Sequence, residues 1–273
     1  MDVASDSQPV GITPRSPRFA FEDVPRHWFA GIPLATHLAN GVNLLFPAGE
    51  RFFVRSVRHY LDRIDDPTLR AQVKGFFGQE GHHANAHEKY FRVLEAQGYD
   101  IQAFLKGYET IAFDVIEKLS PPALRLAVTA ALEHYTAIMA ENALEERVLD
   151  HAHPTMRALL LWHAAEEIEH KSVAFDVLKA VHPSYALRMA GLAMATLTMT
   201  SFWFAGTTMF LRQDRRRGVK NVMAEAGRLQ NEQGLGKRVF FRGIREYIRR
   251  DFHPSQNDNF ALAKSYLAEA GLA

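Results

Sequence analysis

Two segments of this 273-residue chain carry one signature: Glu80-Gly-His-His83 and Glu167-Ile-Glu-His170 both read Glu-x-x-His. On a helix, residues three apart share a face, so each segment turns one carboxylate and one imidazole toward a common point. A lone Glu precedes each signature. Glu50 lies 30 residues before Glu80, and Glu133 lies 34 residues before Glu167. The order Glu then Glu-x-x-His, given twice, predicts two helical hairpins of similar length. Two such hairpins facing each other make a four-helix bundle with pseudo-twofold symmetry.

The rest of the chain agrees with an all-α fold. Helical periodicity is nearly continuous and strand signals are scarce. The pattern predicts a first helix over Pro33 to Phe46, interrupted by Pro47, and a restart through Glu50 to about Ile64. Asp65-Asp66-Pro67 is a start signal for a long helix from Thr68 to Gln97, stopped by Gly98. A shorter helix follows over Ile101 to Leu119. Ser120-Pro121-Pro122 opens one that carries Glu133 to about Leu149, and His153-Pro154 opens one that runs to His182-Pro183. Short connections predict antiparallel neighbours.

Three regions emerge. Residues 1–24 are polar and rich in proline, lack the apolar run of a secretory signal, and read as a disordered lead-in. Residues 25–183 form the helical bundle. Residues 184–273 hold an apolar helix followed by basic amphipathic ones. Met189 to Leu211 passes 23 positions without a charge, and Arg212, Arg215, Arg216 and Arg217 follow. That length can span a bilayer. It contains six Ser or Thr, however, and the arginines flank it on the side that disfavours a span. A helix buried against the bundle or a second subunit, or one lying on a membrane, suits it better.

Composition removes several functions. The chain has no Cys, so thiolate metal sites and Cys nucleophiles are excluded, and the absence of disulfides fits the cytosol. Its formal charge of +1 gives no basic field for nucleic acid. The expected location is the cytoplasm, with contact at the inner face of the membrane.

The seven residues Glu50, Glu80, His83, Glu133, His163, Glu167 and His170 are the candidate metal ligands. His163 joins them because it lies four residues before Glu167, within about 60° of Glu167 and His170 on a helix of 3.6 residues per turn. Four carboxylates balance the charge of two divalent ions, and oxygen and nitrogen donors suit iron or manganese, and zinc less specifically. Glu141 and Glu145 are alternatives to Glu133. His87 shares the stripe of Glu80 and His83 as a supporting or surface His, and His82 points off it. Asp176, His134 and Asn142 are candidates for supporting the ligands.

The order Glu, Glu-x-x-His, Glu, His-x-x-x-Glu-x-x-His resembles the ferritin-like di-iron oxygenases, most closely the arylamine N-oxygenases such as p-aminobenzoate N-oxygenase. The strings Phe46-Pro-Ala-Gly-Glu50, Gln79-Glu-Gly-His-His83 and Glu166-Glu-Ile-Glu-His-Lys171 are also similar to a bacterial family described as predicted metal-dependent hydrolases, over about Pro25 to Asp176. The first resemblance implies a ferritin-like four-helix bundle with additional N- and C-terminal helices. It also implies two iron ions (or manganese, or a mixed pair), dioxygen as co-substrate, an external electron donor, and a small substrate oxidised at an amine nitrogen or a C–H bond. The second implies hydrolysis by a two-metal-activated water. With neither thiolate nor a His-Glu-x-x-His motif present, the sequence reading puts oxygen activation first, hydrolysis second and non-catalytic iron binding third. The expected partners are a small apolar substrate, an electron-transfer protein and a second copy of the chain.

Overall fold

In the computed structural model, residues 11–216 and 236–273 are described; the expectations for Arg217 and for the basic stretch from Asn221 to 235 lie outside them, as does the start of the lead-in. The regular elements among the described residues are all helical, and the β-type pairing among them is one isolated bridge, Phe29 to Ala152.

The helices are α1 (Pro33–Asn43), α2 (Phe46–Arg58), α3 (Pro67–Ala96), α4 (Gln102–Glu109), α5 (Pro122–Glu145), α6 (Pro154–His170), α7 (Val173–Val181), α8 (Tyr185–Arg216), α9 (Arg242–Tyr247) and α10 (Phe260–Glu269). Start and stop chemistry places them. Asp66 accepts a hydrogen bond from the Thr68 amide at 2.9 Å, with Pro67 at the first helical position of α3. Gly98, at φ +83°, follows the end of α3, in a conformation that suits glycine. Proline also occupies the first turns of α1, α2, α5 and α6.

Three local details differ from the sequence expectation. The helix from Ile101 is α-helical only to Glu109 and widens into a π-helical segment over Thr110–Glu117. The expected run from Pro154 to His182 breaks at Lys171-Ser172, so α6 ends on His170 itself. The helix through Glu50 ends at Arg58, before a short 3-10 turn.

Helices α2 and α3 pack together, as do α5 and α6, and contacts of α2 with α5 and α3 with α6 close the four-helix arrangement. Two apolar clusters lie within it, one including Phe76, Tyr135 and Phe175, the other including Trp28, Tyr90 and Trp162. Helix α8 packs along α1 and α5. Its opposite face leaves Leu197 and Phe204 exposed. No helix among the described residues is long and apolar enough to cross a membrane.

The lead-in is not free over its described part. Phe21 and Val24 are buried. Arg15 pairs with Glu166 at 3.1 Å and Glu169 at 2.7 Å on α6. The chain reaches this position because α3 presents glycines where it passes. A Cβ on Gly75 would sit 2.5 Å from the Ile12 carbonyl oxygen, and one on Gly78 would sit 2.3 Å from Pro14 Cγ. The polar, proline-rich composition that suggested disorder instead suits an extended segment held by a few specific contacts.

In an ordinary helix interior, Gly75→Ala would stabilise the protein by about 1 kcal/mol. Here the clash with Ile12 backbone should reverse the sign, with a loss of about 1–3 kcal/mol in urea unfolding. A stabilised Gly75→Ala protein would show that the lead-in does not lie on α3.

Candidate metal centre

All seven sequence-predicted ligands are buried at the centre of the four helices. Glu50 comes from α2, Glu80 and His83 from α3, Glu133 from α5, and His163, Glu167 and His170 from α6. Their donor atoms fall into three overlapping groups, each within 4.8 Å: Glu50, His83 and His163; Glu80, His83 and Glu167; Glu80, Glu133 and His170. The shared members Glu80 and His83 link the groups into one cluster.

The arrangement inside the cluster is unlike that of an ordinary polar network. His170 Nε2 lies 3.1 Å from Glu80 Oε1, 3.3 Å from Glu133 Oε2 and 3.5 Å from Glu167 Oε2. It is nevertheless aligned for a hydrogen bond to none of them. Both oxygens of Glu50, Glu80 and Glu133, and Nδ1 of His83, are likewise buried without a hydrogen-bond partner. A buried unpaired carboxylate costs several kcal/mol. Apart from His163 and Glu167, which pair at 2.9 Å, these donors converge without bonding one another, as ligands of a common cation do, so the donor set fits a pair of metal ions.

The outward nitrogen of each imidazole is tied down. His170 Nδ1 lies 2.9 Å from Gln79 Oε1. The Gln79 amide nitrogen is committed to Glu169 at 2.7 Å and the Thr13 carbonyl at 3.3 Å, which orients its oxygen toward His170. His83 Nε2 lies 2.9 Å from Glu166 Oε2. His163 Nδ1 lies 2.6 Å from His87 Nε2, and His87 Nδ1 lies 2.6 Å from Asn43 Oδ1. The inner Nε2 of His163 also pairs, with Glu167 Oε1 at 2.9 Å. For His170 and His83 the outer partners assign the proton to the outer nitrogen and leave the inner lone pair facing the cluster. That is the usual way a protein fixes the tautomer of a metal-binding histidine. Thr136 donates to Glu167 Oε2 at 2.5 Å.

Electrostatics follow from this crowding. Burial, then Glu80 and Glu167, push the Glu50 carboxyl well above the usual range. Burial, then Glu167, do the same to Glu133. Glu80 is raised by burial, partly offset by His170. For Glu167 burial pushes upward too, but His170 and His163 outweigh it and hold the carboxyl well below the usual range. His170 is its counterpart: burial is outweighed by Glu133 and Glu167, and its pKa rises. Burial and the neighbouring His163 depress His83 and His87. Burial raises Glu166 to about 7, against the pull of Arg15.

The supporting residues are largely not those expected. His87 is buried behind His163, but Gln79, Glu166, Asn43 and Thr136 take the other positions. Asp176 instead bonds His253 at 2.7 Å, His134 faces the Gly243 carbonyl at 3.1 Å, and Asn142 bonds back to Ile138 in its own helix. Glu141 is paired with Arg242 at 2.6 Å and Glu145 is exposed, so Glu133 is the α5 carboxylate of the cluster. His82 is half-buried, off the stripe.

A second group, His27, His37 and Asp214, also gathers possible donors. Its carboxylate is satisfied without an ion. Both His Nε2 atoms lie 2.6 Å from Asp214 Oδ2, the Tyr99 hydroxyl donates to Oδ1 at 2.8 Å, and Arg26 stands 3.6 Å away. It ties the end of α8 to α1 and the N-terminal segment.

An apolar cavity of about 850 Å³, counting its open mouth, reaches the cluster. Glu50 and Thr136 form its inner polar edge, and Phe46, Phe53, Leu132, Met199 and Phe202 are among its walls. Phe46 also packs on His163, with ring centroids 4.6 Å apart.

A family model described as "predicted metal-dependent hydrolase" matches residues 13–258. No curated protein and no solved structure matches the chain.

Replacing Glu133 by its neutral isostere separates cost from use. Glu133→Gln should lower metal content. In metal-free protein at neutral pH it should raise stability by about 1–3 kcal/mol, because the amide avoids the cost of either protonating or ionising a buried carboxyl whose pKa is raised by burial and Glu167. Metal analysis and urea unfolding of the two forms check this; lower stability of the metal-free variant would contradict it.

Proposed function

Because the chain belongs to the family of predicted metal-dependent hydrolases, we propose that it is an enzyme whose dinuclear metal centre acts on an apolar small molecule. The observation that carries this reading is the set of buried, unpaired carboxylates at the inner end of an apolar cavity. Glu50, His83 and His163 would hold one ion, and Glu133 and His170 the other, with Glu80 and Glu167 between them. The bound pair would supply a Lewis acid and an activated water, and an iron pair would also supply electrons for reducing dioxygen.

The chain's own residues have definable tasks. Gln79 and Glu166 hold His170 and His83 in the tautomer that presents a lone pair inward, and His87 orients His163, whose inner nitrogen faces Glu167. Phe46 packs against His87 and His163, and with Phe53 it gives the cavity an apolar wall beside the cluster, where a low local dielectric strengthens charge interactions. The cavity walls orient an apolar substrate so that it meets the cluster near Glu50.

The family description makes hydrolysis of an apolar ester or amide the first reading. A specific observation supports the second, oxidation by an iron pair. The cavity is apolar almost throughout, and besides Glu50 and Thr136 its polar side chains are Tyr108, whose hydroxyl is already committed to the Leu45 carbonyl at 3.3 Å, Thr198, which bonds back to Met194 in its own helix, and Glu117, Ser120 and Arg125. Hydrolysis is served by donors for a developing oxyanion, whereas attack on a C–H bond or an amine nitrogen needs dry positioning. The second reading requires an external electron donor.

Protein purified without oxygen should hold about two transition-metal ions per chain, as expected for a bundle of two Glu-x-x-His helices and two lone Glu residues. Glu80→Ala and His170→Ala should lose them, and His163→Ala should lose less. Cleavage of apolar p-nitrophenyl esters without oxygen uptake assigns hydrolysis; donor-dependent oxygen uptake by the ferrous protein assigns oxidation. A single tightly held zinc, with no second ion after iron loading, would overturn the dinuclear centre.

A further inference from the structure

The cavity has a polar mouth at the far end from the cluster. Along α5 its lining residues are Arg125, Val128, Leu132 and Thr136, which share one face of the helix. Thr136 is the inner end, through its bond to Glu167. Arg125 is eleven residues earlier, roughly 16 Å away at 1.5 Å of rise per residue. Glu117 and Ser120 join Arg125 there.

The charges at this mouth do not cancel. Glu117 is taken by Arg55, whose guanidinium contacts both its oxygens, at 3.1 and 2.7 Å. Arg125 stands 3.8 Å from the same carboxylate, too far for a hydrogen bond, with its side chain 30% exposed. Nearby Lys118 is paired with Asp114 at 2.8 Å. Two guanidinium groups, those of Arg55 and Arg125, thus stand at the single carboxylate of Glu117, and Arg125 and Ser120 are both among the residues that line the cavity. Between this point and Glu50 the α5 wall offers Val128 and Leu132, opposite Phe46, Phe52 and Phe53 from α2.

We propose that the ligand is an amphiphilic anion, with an oxyanion head such as a carboxylate held at Arg125 and Ser120 and an apolar body running along α5 to the metal cluster. This rests on the cavity being the substrate site. The planar guanidinium fork matches a carboxylate in two parallel hydrogen bonds. Head and metal at opposite ends make the cavity a ruler: the position acted on is the one that reaches Glu50, remote from the head.

Binding to the full chain, metal-loaded and metal-free, tests this by calorimetry with decanoate, decanol and decylamine. Decanoate should bind about tenfold more tightly than decanol, the ratio expected for one hydrogen-bonded charged head, and decylamine more weakly than either. Arg125→Gln should erase the preference for decanoate while keeping decanol binding, which also shows that the variant is folded. Arg125→Lys should keep part of the preference. Leu132→Trp should abolish binding of all three. Equal binding of decanoate and decanol, a preference that survives Arg125→Gln, or binding unaffected by Leu132→Trp would overturn the proposal. Preferential decanoate binding by a protein that takes up no metal pair would leave this inference standing and remove the dinuclear reading alone.

Discussion

Burying four carboxylates in the middle of a helical bundle is the interaction on which this structure turns. Glu50, Glu80, Glu133 and Glu167 are all shielded from solvent, and the first three have no hydrogen-bond partner for either oxygen. At several kcal/mol per unpaired buried ion, that cost rivals the whole stability of a domain of this size. Burial and crowding push Glu50 and Glu133 toward their neutral forms, while Glu133 and Glu167 favour a charged His170, and both effects offset part of that cost. Two divalent cations would offset it fully, since their charge equals that of four carboxylates.

The surrounding architecture holds those groups in place. The N-terminal segment crosses α3 over two glycines to bring Arg15 onto Glu166 and Glu169, and those two acids reach His83 directly and His170 through Gln79. A surface segment thus bears on the orientation of two inner imidazoles. On the opposite side the cluster meets the apolar cavity, walled by α2, α5, α8 and the π-helical segment. One side of the centre is rigid and polar, and the other is open and apolar, which is the asymmetry a substrate site requires.

Much of this was legible because the ligand pattern is local. Glu80 with His83, and His163 with Glu167 and His170, lie on single helical stripes, and helix period alone places each set together. The hairpin order then adds Glu50 and Glu133. The supporting residues were not legible for the converse reason. Glu166 sits one residue before Glu167, about 100° around α6, and serves His83 on α3. Gln79 on α3 serves His170 on α6. Such partnerships cross between helices, so no periodicity within one helix announces them. The contacts of the lead-in were hidden in the same way, since they depend on Ile12 and Pro14 lying beside Gly75 and Gly78 of another segment. The end of α6 at His170 and the π-helical turn after Glu109 depend on how neighbouring segments pack.

In this reading the seven inward residues share a pair of metal ions. An anomalous-difference map from crystals of the metal-loaded protein tests it most directly. The account predicts two peaks about 3.5–4 Å apart, the spacing of two-metal sites, one beside Glu50, His83 and His163 and the other beside Glu133 and His170, with Glu80 and Glu167 reaching both. A single peak, or peaks at His27, His37 and Asp214 with none among the seven, would contradict it.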